Sequence, residues 1–222
     1  MTDTATRTLS EYDSKRLLAS VGVPVLDERL VTGADEAVVA ARELGAPDQP
    51  VVLKLCGEGV AHKTERGLVR LGIRGDDDVR HAADALLAAA RPDDGAVGVL
   101  VAPLARGVRE LIAGVHRDVQ FGPCVMVGFG GVLAEALGDV AFRLAPVDRV
   151  DAEEMLDDLS GQVLLGPFRG ESPVDRAALA DIVLGLSRLA ETHSEIVSLD
   201  VNPLLVVQGT LVAVDALVEV AA

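Results

Sequence analysis

Tryptophan is absent, and aromatic residues of every kind make up only 2% of the 222 residues. Since half the residues are apolar, a sizeable core is available, built mainly from Val, Leu, Ala and Ile. Cysteine is nearly absent too. Cys56 and Cys124 have no paired spacing, which excludes a disulfide framework and a zinc site of the usual patterns. No stretch approaches the ~20 apolar residues that span a bilayer. The opening MTDTATRTLSEYDSKR is polar and has no apolar signal region, so the expected compartment is the cytoplasm. Positive charge is also short. A net charge of −15 argues against nucleic acid or an anionic membrane as the main partner. It leaves ATP open, because a local site can be positive and nucleotides arrive with magnesium. Internal repeats and low-complexity segments are lacking, and the length fits one large domain or two small lobes.

The scarcest charged residue is lysine. Only Lys15, Lys54 and Lys63 occur, against seventeen arginines. Two of these lysines sit in VVLKLCGEGVAHKTERG (51–67), with His62 between them. Lysine is a compact point charge on a flexible stem and suits a phosphate, whereas arginine is a planar fork. The stretch reads as a strand, VVLKL, feeding a polar loop that can handle phosphate. Gly57, Gly59 and Gly67 would give that loop backbone freedom. The same residues also fit a strand-end lysine and a plain connector, and this stretch alone does not choose. Among the histidines, His81 falls on an exposed helix face, His193 near a helix C-terminus, and His116 at a strand end. His62 alone lies in a glycine-bounded loop beside a lysine.

Along the chain, residues 1–9 read as a loose tail, and Ser10 with Asp13 as a capping box opening a helix that ends at Gly22. Helices are expected at 34–45, 76–91, 151–159 and 174–193, from apolar periodicity and end signals. Strands are expected at 51–55, 67–73, 96–104, 108–116, 123–128, 132–137 and 141–146, with a final pair at 195–207 and 210–220. Strands and helices mix without a βαβ rhythm, which predicts an α+β fold with two lobes and a pivot near Pro103–Gly107.

In the final pair, Gln208–Gly209 is the natural turn centre. A two-residue or four-residue loop sets Val207 against Thr210 and Asn202 against Asp215. Asp200, two residues before Asn202, points to the same face. Three oxygen-bearing side chains then converge, as a hard cation such as magnesium requires. The plainer alternative is the solvated side of an edge hairpin. In GVLVAPLARGVREL (98–111), exposed backbone at the pivot can bind adenine, and Glu110 can accept from ribose hydroxyls or simply face outward. GFGGVLAEAL (128–137) is not a dinucleotide fingerprint, since the third glycine would fall at Leu133. Its Glu135 can reach a metal or a phosphate-handling group, or point outward from a strand. No Ser-His-Asp arrangement follows from the spacing.

Taken in order, VVLKL, AHKTERGLVRLGI, VRELIAGVHRDVQFGPCVMVGFGG, AFRLAP and SLDVNPLLV with AVDA resemble the ATP-grasp domain of NDP-forming acyl-CoA synthetases. The likeness is to the β subunit of ADP-forming acetate–CoA ligase and its relatives, and runs from about Leu9 to Val220. It implies two α/β lobes with nucleotide bound between them. Residues 1–22 would be a tail and helix packing on the C-terminal lobe, 23–104 the smaller lobe and 105–222 the larger. It implies that Lys54 contacts nucleotide phosphates and that Glu110, Ala102 and Leu104 belong to the nucleotide site. Asn202 and Asp215 match magnesium ligands, and Asp200 an acidic residue that helps hold a phosphohistidine in succinyl-CoA synthetases. His62 matches a histidine that carries phosphate from a partner subunit to ADP, with Lys63, Gly67 and Glu135 as support. The implied cofactor is Mg2+, with ATP or ADP as substrate. The implied partner is a CoA-binding α subunit with its own phosphorylatable histidine, because no such module occurs in this chain. Leu68 stands where the family loop carries a second glycine, and Ala102 where a Gln or Glu is common at the adenine hinge. Rival readings are another ATP-grasp carboxylate ligase and a non-catalytic nucleotide-binding regulatory subunit.

Overall fold

Helix α3 (Asp76–Ala88) shows how the sequence organises the first of two sheets. Three aspartates occupy its first turn, where the helix dipole favours negative charge. Val79, Ala82, Ala83 and Leu86 recur at helical spacing and are buried. With α2 (Ala34–Leu44) they cover a four-stranded sheet, packing on Leu53, Leu55, Val99 and Val101. That sheet consists of β2 (Arg29–Val31), β3 (Val51–Gly57), β4 (Val69–Ile73) and β5 (Ala96–Pro103), in the order β2-β5-β3-β4. Neighbouring strands run antiparallel. Helix α3 stops short of the expected residue 91, and Pro92 opens a short 3-10 turn, Pro92–Asp94.

The computed structural model describes residues 5–45, 49–60, 63–131 and 138–222. The chain divides into two compact units. The smaller comprises Thr8–Asp13 and Leu26–Leu104, the larger Met1–Arg7, Ser14–Val25 and Ala105–Ala222. Helix α1 (Glu11–Ser20) is opened by Ser10, whose hydroxyl accepts from the Asp13 N–H at 3.1 Å.

In the larger unit, β6 (Arg109–Asp118), β7 (Gly122–Phe129) and β8 (Val140–Leu144) form a meander. The twelve-residue β9 (Ile196–Val207) pairs with β6, with β10 (Thr210–Ala213) and with β11 (Ala216–Ala221). The sheet order is β1-β11-β9-β6-β7-β8, with β10 also on β9. Strand β1 (Thr6–Thr8) lies in the stretch expected as loose tail. Three residues are too few for a legible alternation, and sheet pairing orders them.

Helices α4 (Arg149–Asp157) and α5 (Arg176–Thr192) are both capped by aspartate: Asp148 accepts from Asp151 N–H at 2.9 Å and Asp175 from Ala178 N–H at 3.0 Å. Helix α5 packs on β6 and β7. Arg117 of β6 meets its C-terminal end, donating to the Ala190 carbonyl at 2.7 Å, and also donates to the Ile196 carbonyl of β9 at 3.0 Å. Gly114 is required by close approach, since a Cβ there would meet the Leu199 carbonyl oxygen at 2.5 Å. The expected strand at 132–137 lies outside the described residues. Among the described residues, no helix is long and apolar enough to cross a membrane.

Candidate functional site

Gln208 and Gly209 form a two-residue turn with φ of 52° and 88°. Positive φ at both centres matches the twist of a hairpin, and it sets Val207 against Thr210 as expected. Pairing runs to Ala213 opposite Leu204, and resumes at Ala216 opposite Val201. The register is the same on both sides of the interruption, so Asp215 faces Asn202. Two features cause the break. Pro203 has no N–H to offer the ladder, while Val214 N–H still donates to the Pro203 carbonyl at 3.1 Å. On its other side β9 carries an extra residue: Asn202 and Pro203 together oppose Ile112 of β6, between the Leu111–Leu204 and Ala113–Val201 pairs. Such a bulge re-aims side chains.

Leu199, Val201 and Leu204 are buried, whereas Asp200 and Asn202 are exposed. Asp200, Asn202 and Asp215 therefore present two carboxylates and an amide from one hairpin. Oxygen donors alone suit a hard cation. Among the described residues, no group of three or more His, Cys, Asp or Glu side chains is placed to hold a metal. A cation here would need further oxygens from phosphate or water. Asp215 also accepts from the Ala216 N–H at 2.9 Å, which fixes one of its oxygens. Glu110 lies on β6 and is exposed, on the face away from Leu111, Ala113 and Val115. Its backbone carbonyl accepts from Gly130 N–H at 2.8 Å, which ties it to the GFGG segment.

In the smaller unit, Lys54 is the one charged residue of β3, whose seven residues are all buried. Its ammonium donates to Glu11 Oε1 at 2.6 Å, and Lys63 donates to Glu11 Oε2. The Glu11 side chain is only 3% exposed. Sequence reasoning did not single out Glu11. The available signal was electrostatic: a lysine in the middle of a buried strand calls for a buried counter-charge. Ala102 is buried on β5 opposite Val52, and the Leu104 N–H donates to the Pro50 carbonyl at 3.1 Å.

The glycines at the end of β3 and just after it act differently from expectation. A Cβ at Gly57 would meet the Asp94 carbonyl oxygen at 2.4 Å, and one at Gly59 the Asp93 carbonyl oxygen at 2.1 Å. Both are small so that the 93–95 turn can approach, rather than to free the backbone. Gly67 does adopt a left-handed φ of 64°. Leu68, the departure from a glycine pair, is 1% exposed and belongs to the core under α2 and α3. His62 and Glu135 lie outside the described residues.

Arg66 binds Asp94 through two bonds, at 2.6 and 2.9 Å. The Arg66 guanidinium, together with the Arg91 N–H, lowers the Asp94 carboxyl to about 2. A depressed carboxyl adds stability that is complete above its unfolded value of about 4 and vanishes as pH falls through the folded value. Acid melts of the wild type should therefore lose stability between about pH 4 and pH 2 through this group, and Asp94→Asn should flatten that part of the profile. Identical profiles for the two proteins would remove the pair from the account. Burial also pushes the Cys56 and Cys124 thiols above the usual range.

Residues 1–220 match the ATP-grasp domain family. The chain is 38% identical over 213 residues to the β subunit of acetate–CoA ligase (ADP-forming) I from Pyrococcus furiosus, covering 95% of this chain and 90% of that one. Among solved structures it resembles acetyl-coenzyme A synthetase 1 of Ca. Korarchaeum cryptofilum in complex with coenzyme A and Ca-AMPCP. That match has a TM-score of 0.88 and 37% identity, and covers 96% and 93% of the two chains. A second structure of that protein holds coenzyme A and Mg-AMPPCP, with a phosphohistidine segment pointing towards the nucleotide-binding site. It matches with a TM-score of 0.80 and 36% identity, covering 95% of this chain and 91% of that one.

Proposed function

The chain belongs to the ATP-grasp family, in the branch of the ADP-forming acetate–CoA ligase β subunits, and we propose on that premise that it is the nucleotide-binding β subunit of an ADP-forming acyl-CoA synthetase. With a CoA-binding α subunit it would interconvert acyl-CoA, ADP and phosphate with acid, CoA and ATP. The observation that carries the reading is the oxygen face formed by β9 and the segment between β10 and β11, in a chain of which 95% is matched by such a β subunit. Asn202 and Asp215 are the proposed magnesium ligands, and Asp200 the acidic neighbour of a phosphohistidine. A bound magnesium ion would supply charge neutralisation on the phosphates.

The chain's own residues divide the remaining work. Lys54 neutralises phosphate charge. Glu110, with the backbone at Ala102 and Leu104, takes the nucleoside. His62 is the carrier: its ring nitrogen accepts the phosphoryl group from the histidine of the α subunit, and the N–P bond then breaks as a β-phosphate oxygen of ADP takes the group. Lys63, Gly67 and Glu135 are supporting residues in this reading. A cytoplasmic location is part of this reading, since the proposed reaction consumes ATP and CoA.

Titration calorimetry on the purified chain should show ADP binding that depends on magnesium, with the dependence reduced in Asp215→Asn. Thioester synthesis should appear only once a CoA-binding α subunit is added. A folded sample that gives no heat with Mg-ADP would overturn the nucleotide site. Thioester made by the single chain would overturn the need for the partner.

A further inference from the structure

Two of the three lysines of this chain end on one carboxylate. Lys54 reaches Glu11 Oε1 from β3 at 2.6 Å, and Lys63 reaches Glu11 Oε2 from the segment before β4. The three side chains are 10%, 15% and 3% exposed for Lys54, Lys63 and Glu11. Glu11 is itself held firmly. It is the first residue of α1, next to Ser10, whose hydroxyl accepts from Asp13 N–H and donates to its carboxylate at 2.8 Å. Lys54 is equally constrained at its base, with β4 and β5 paired on either side of β3. Between these fixed points run the flexible stems of two lysines, whose ammonium groups would otherwise repel one another and sample many rotamers.

We propose that Glu11 is a positioning residue for phosphate recognition: its two oxygens hold the Lys54 and Lys63 ammonium groups at a set spacing, so that both can meet the phosphate chain of a bound nucleotide. This rests on the nucleotide reading above. A carboxylate and a phosphate both present paired oxygens, so two ammonium groups spaced by the first are spaced for the second. Each ammonium has three donors, so the contact with Glu11 does not by itself exclude a phosphate oxygen. Holding the lysines before the ligand arrives removes the ordering cost from the binding step. Glu11 touches neither nucleotide nor reacting atoms in this scheme and acts through the lysines.

The test compares Mg-ADP with AMP by calorimetry, on the wild type, Glu11→Gln and Glu11→Asp, with thermal melts as the folding control. Gln keeps the shape but removes the charge and one of the two acceptors. Asp keeps the charge but is one methylene too short to span both ammonium groups. Glu11→Gln should weaken Mg-ADP at least tenfold while AMP affinity stays within about twofold, because only the distal phosphate depends on the lysine pair. Glu11→Asp should show the same split, less strongly. In a Lys54→Met/Lys63→Met background, Glu11→Gln should add no further loss of ADP affinity, since its only route to the ligand is gone. If the wild type fails to bind Mg-ADP, the nucleotide reading falls, and this proposal with it. If the wild type binds but a folded Glu11 variant holds Mg-ADP as tightly or more tightly, or loses ADP and AMP alike, the positioning role alone is overturned. Should Glu11→Gln not fold, Glu11→Asp decides by the same split.

Discussion

A chain carrying His62→Ala should bind ADP within a few-fold of the wild type and transfer no phosphate. The two outcomes separate because the roles are separate. In the proposed scheme nucleotide affinity comes from Lys54, Glu110 and the Asn202/Asp215 face, all of which the variant keeps. Transfer needs a nucleophilic nitrogen that accepts a phosphoryl group and gives it up again near neutral pH, and alanine offers none. Wild-type protein incubated with ATP and magnesium should acquire a phosphate that is labile in acid and stable in alkali, and the variant should acquire none. Near-normal turnover by His62→Ala with its partner subunit would reduce His62 to a loop residue. A label stable in acid would point instead to a ligase working through an acyl phosphate without a histidine carrier.

Lys54→Ala should weaken Mg-ADP by roughly 10- to 150-fold, the equivalent of about 1.5–3 kcal/mol for a lost charge-assisted contact. A second effect accompanies it. Glu11 is 5% exposed, and it would keep Lys63 but lose the bond at 2.6 Å. Breaking one side of a buried ion cluster is destabilising in its own right, so the variant should also melt at a lower temperature. Binding measured well below that melting point isolates the first effect. An ADP affinity within twofold of the wild type, in a folded sample, would take Lys54 out of the nucleotide site.

The readable parts of this chain were those governed by local rules. The hairpin register followed from turn chemistry at Gln208–Gly209 and the period-two alternation of strands, which is why Asn202 and Asp215 came out facing one another. Helices α2, α3 and α5 followed from apolar periodicity and end signals. The break at Val214–Asp215 and the bulge at Asn202–Pro203 were not legible, because both depend on which strand lies on each side of β9. Strand β2 was missed for a similar reason: Arg29–Val31 is ordered by β5 rather than by any pattern of its own. Gly57 and Gly59 were misread because a sequence shows that a glycine can be flexible, but not that a carbonyl passes 2.4 or 2.1 Å from where its Cβ would be. Glu11 stayed hidden among thirty-five acidic residues, since only the fold brings it to Lys54, forty-three positions away.

The strand order of the larger sheet also dictates a sequence of events on the ribosome. Strand β1 lies beside β11, and the Ala222 N–H donates to the Ala5 carbonyl at 2.8 Å. Thr6 and Thr8 must wait for Ala216–Ala221 before they find their neighbour. Strands β6, β7 and β8 emerge as a local meander, yet β6 has an open edge until β9 arrives after two further helices. Because β9 carries Asp200 and Asn202, the side chains proposed to face magnesium are put in place only after β6, β7 and β8 have emerged. A nascent chain stalled before residue 196 would expose an unpaired strand edge and have no metal face, so a chaperone that shields such edges would matter most in that interval.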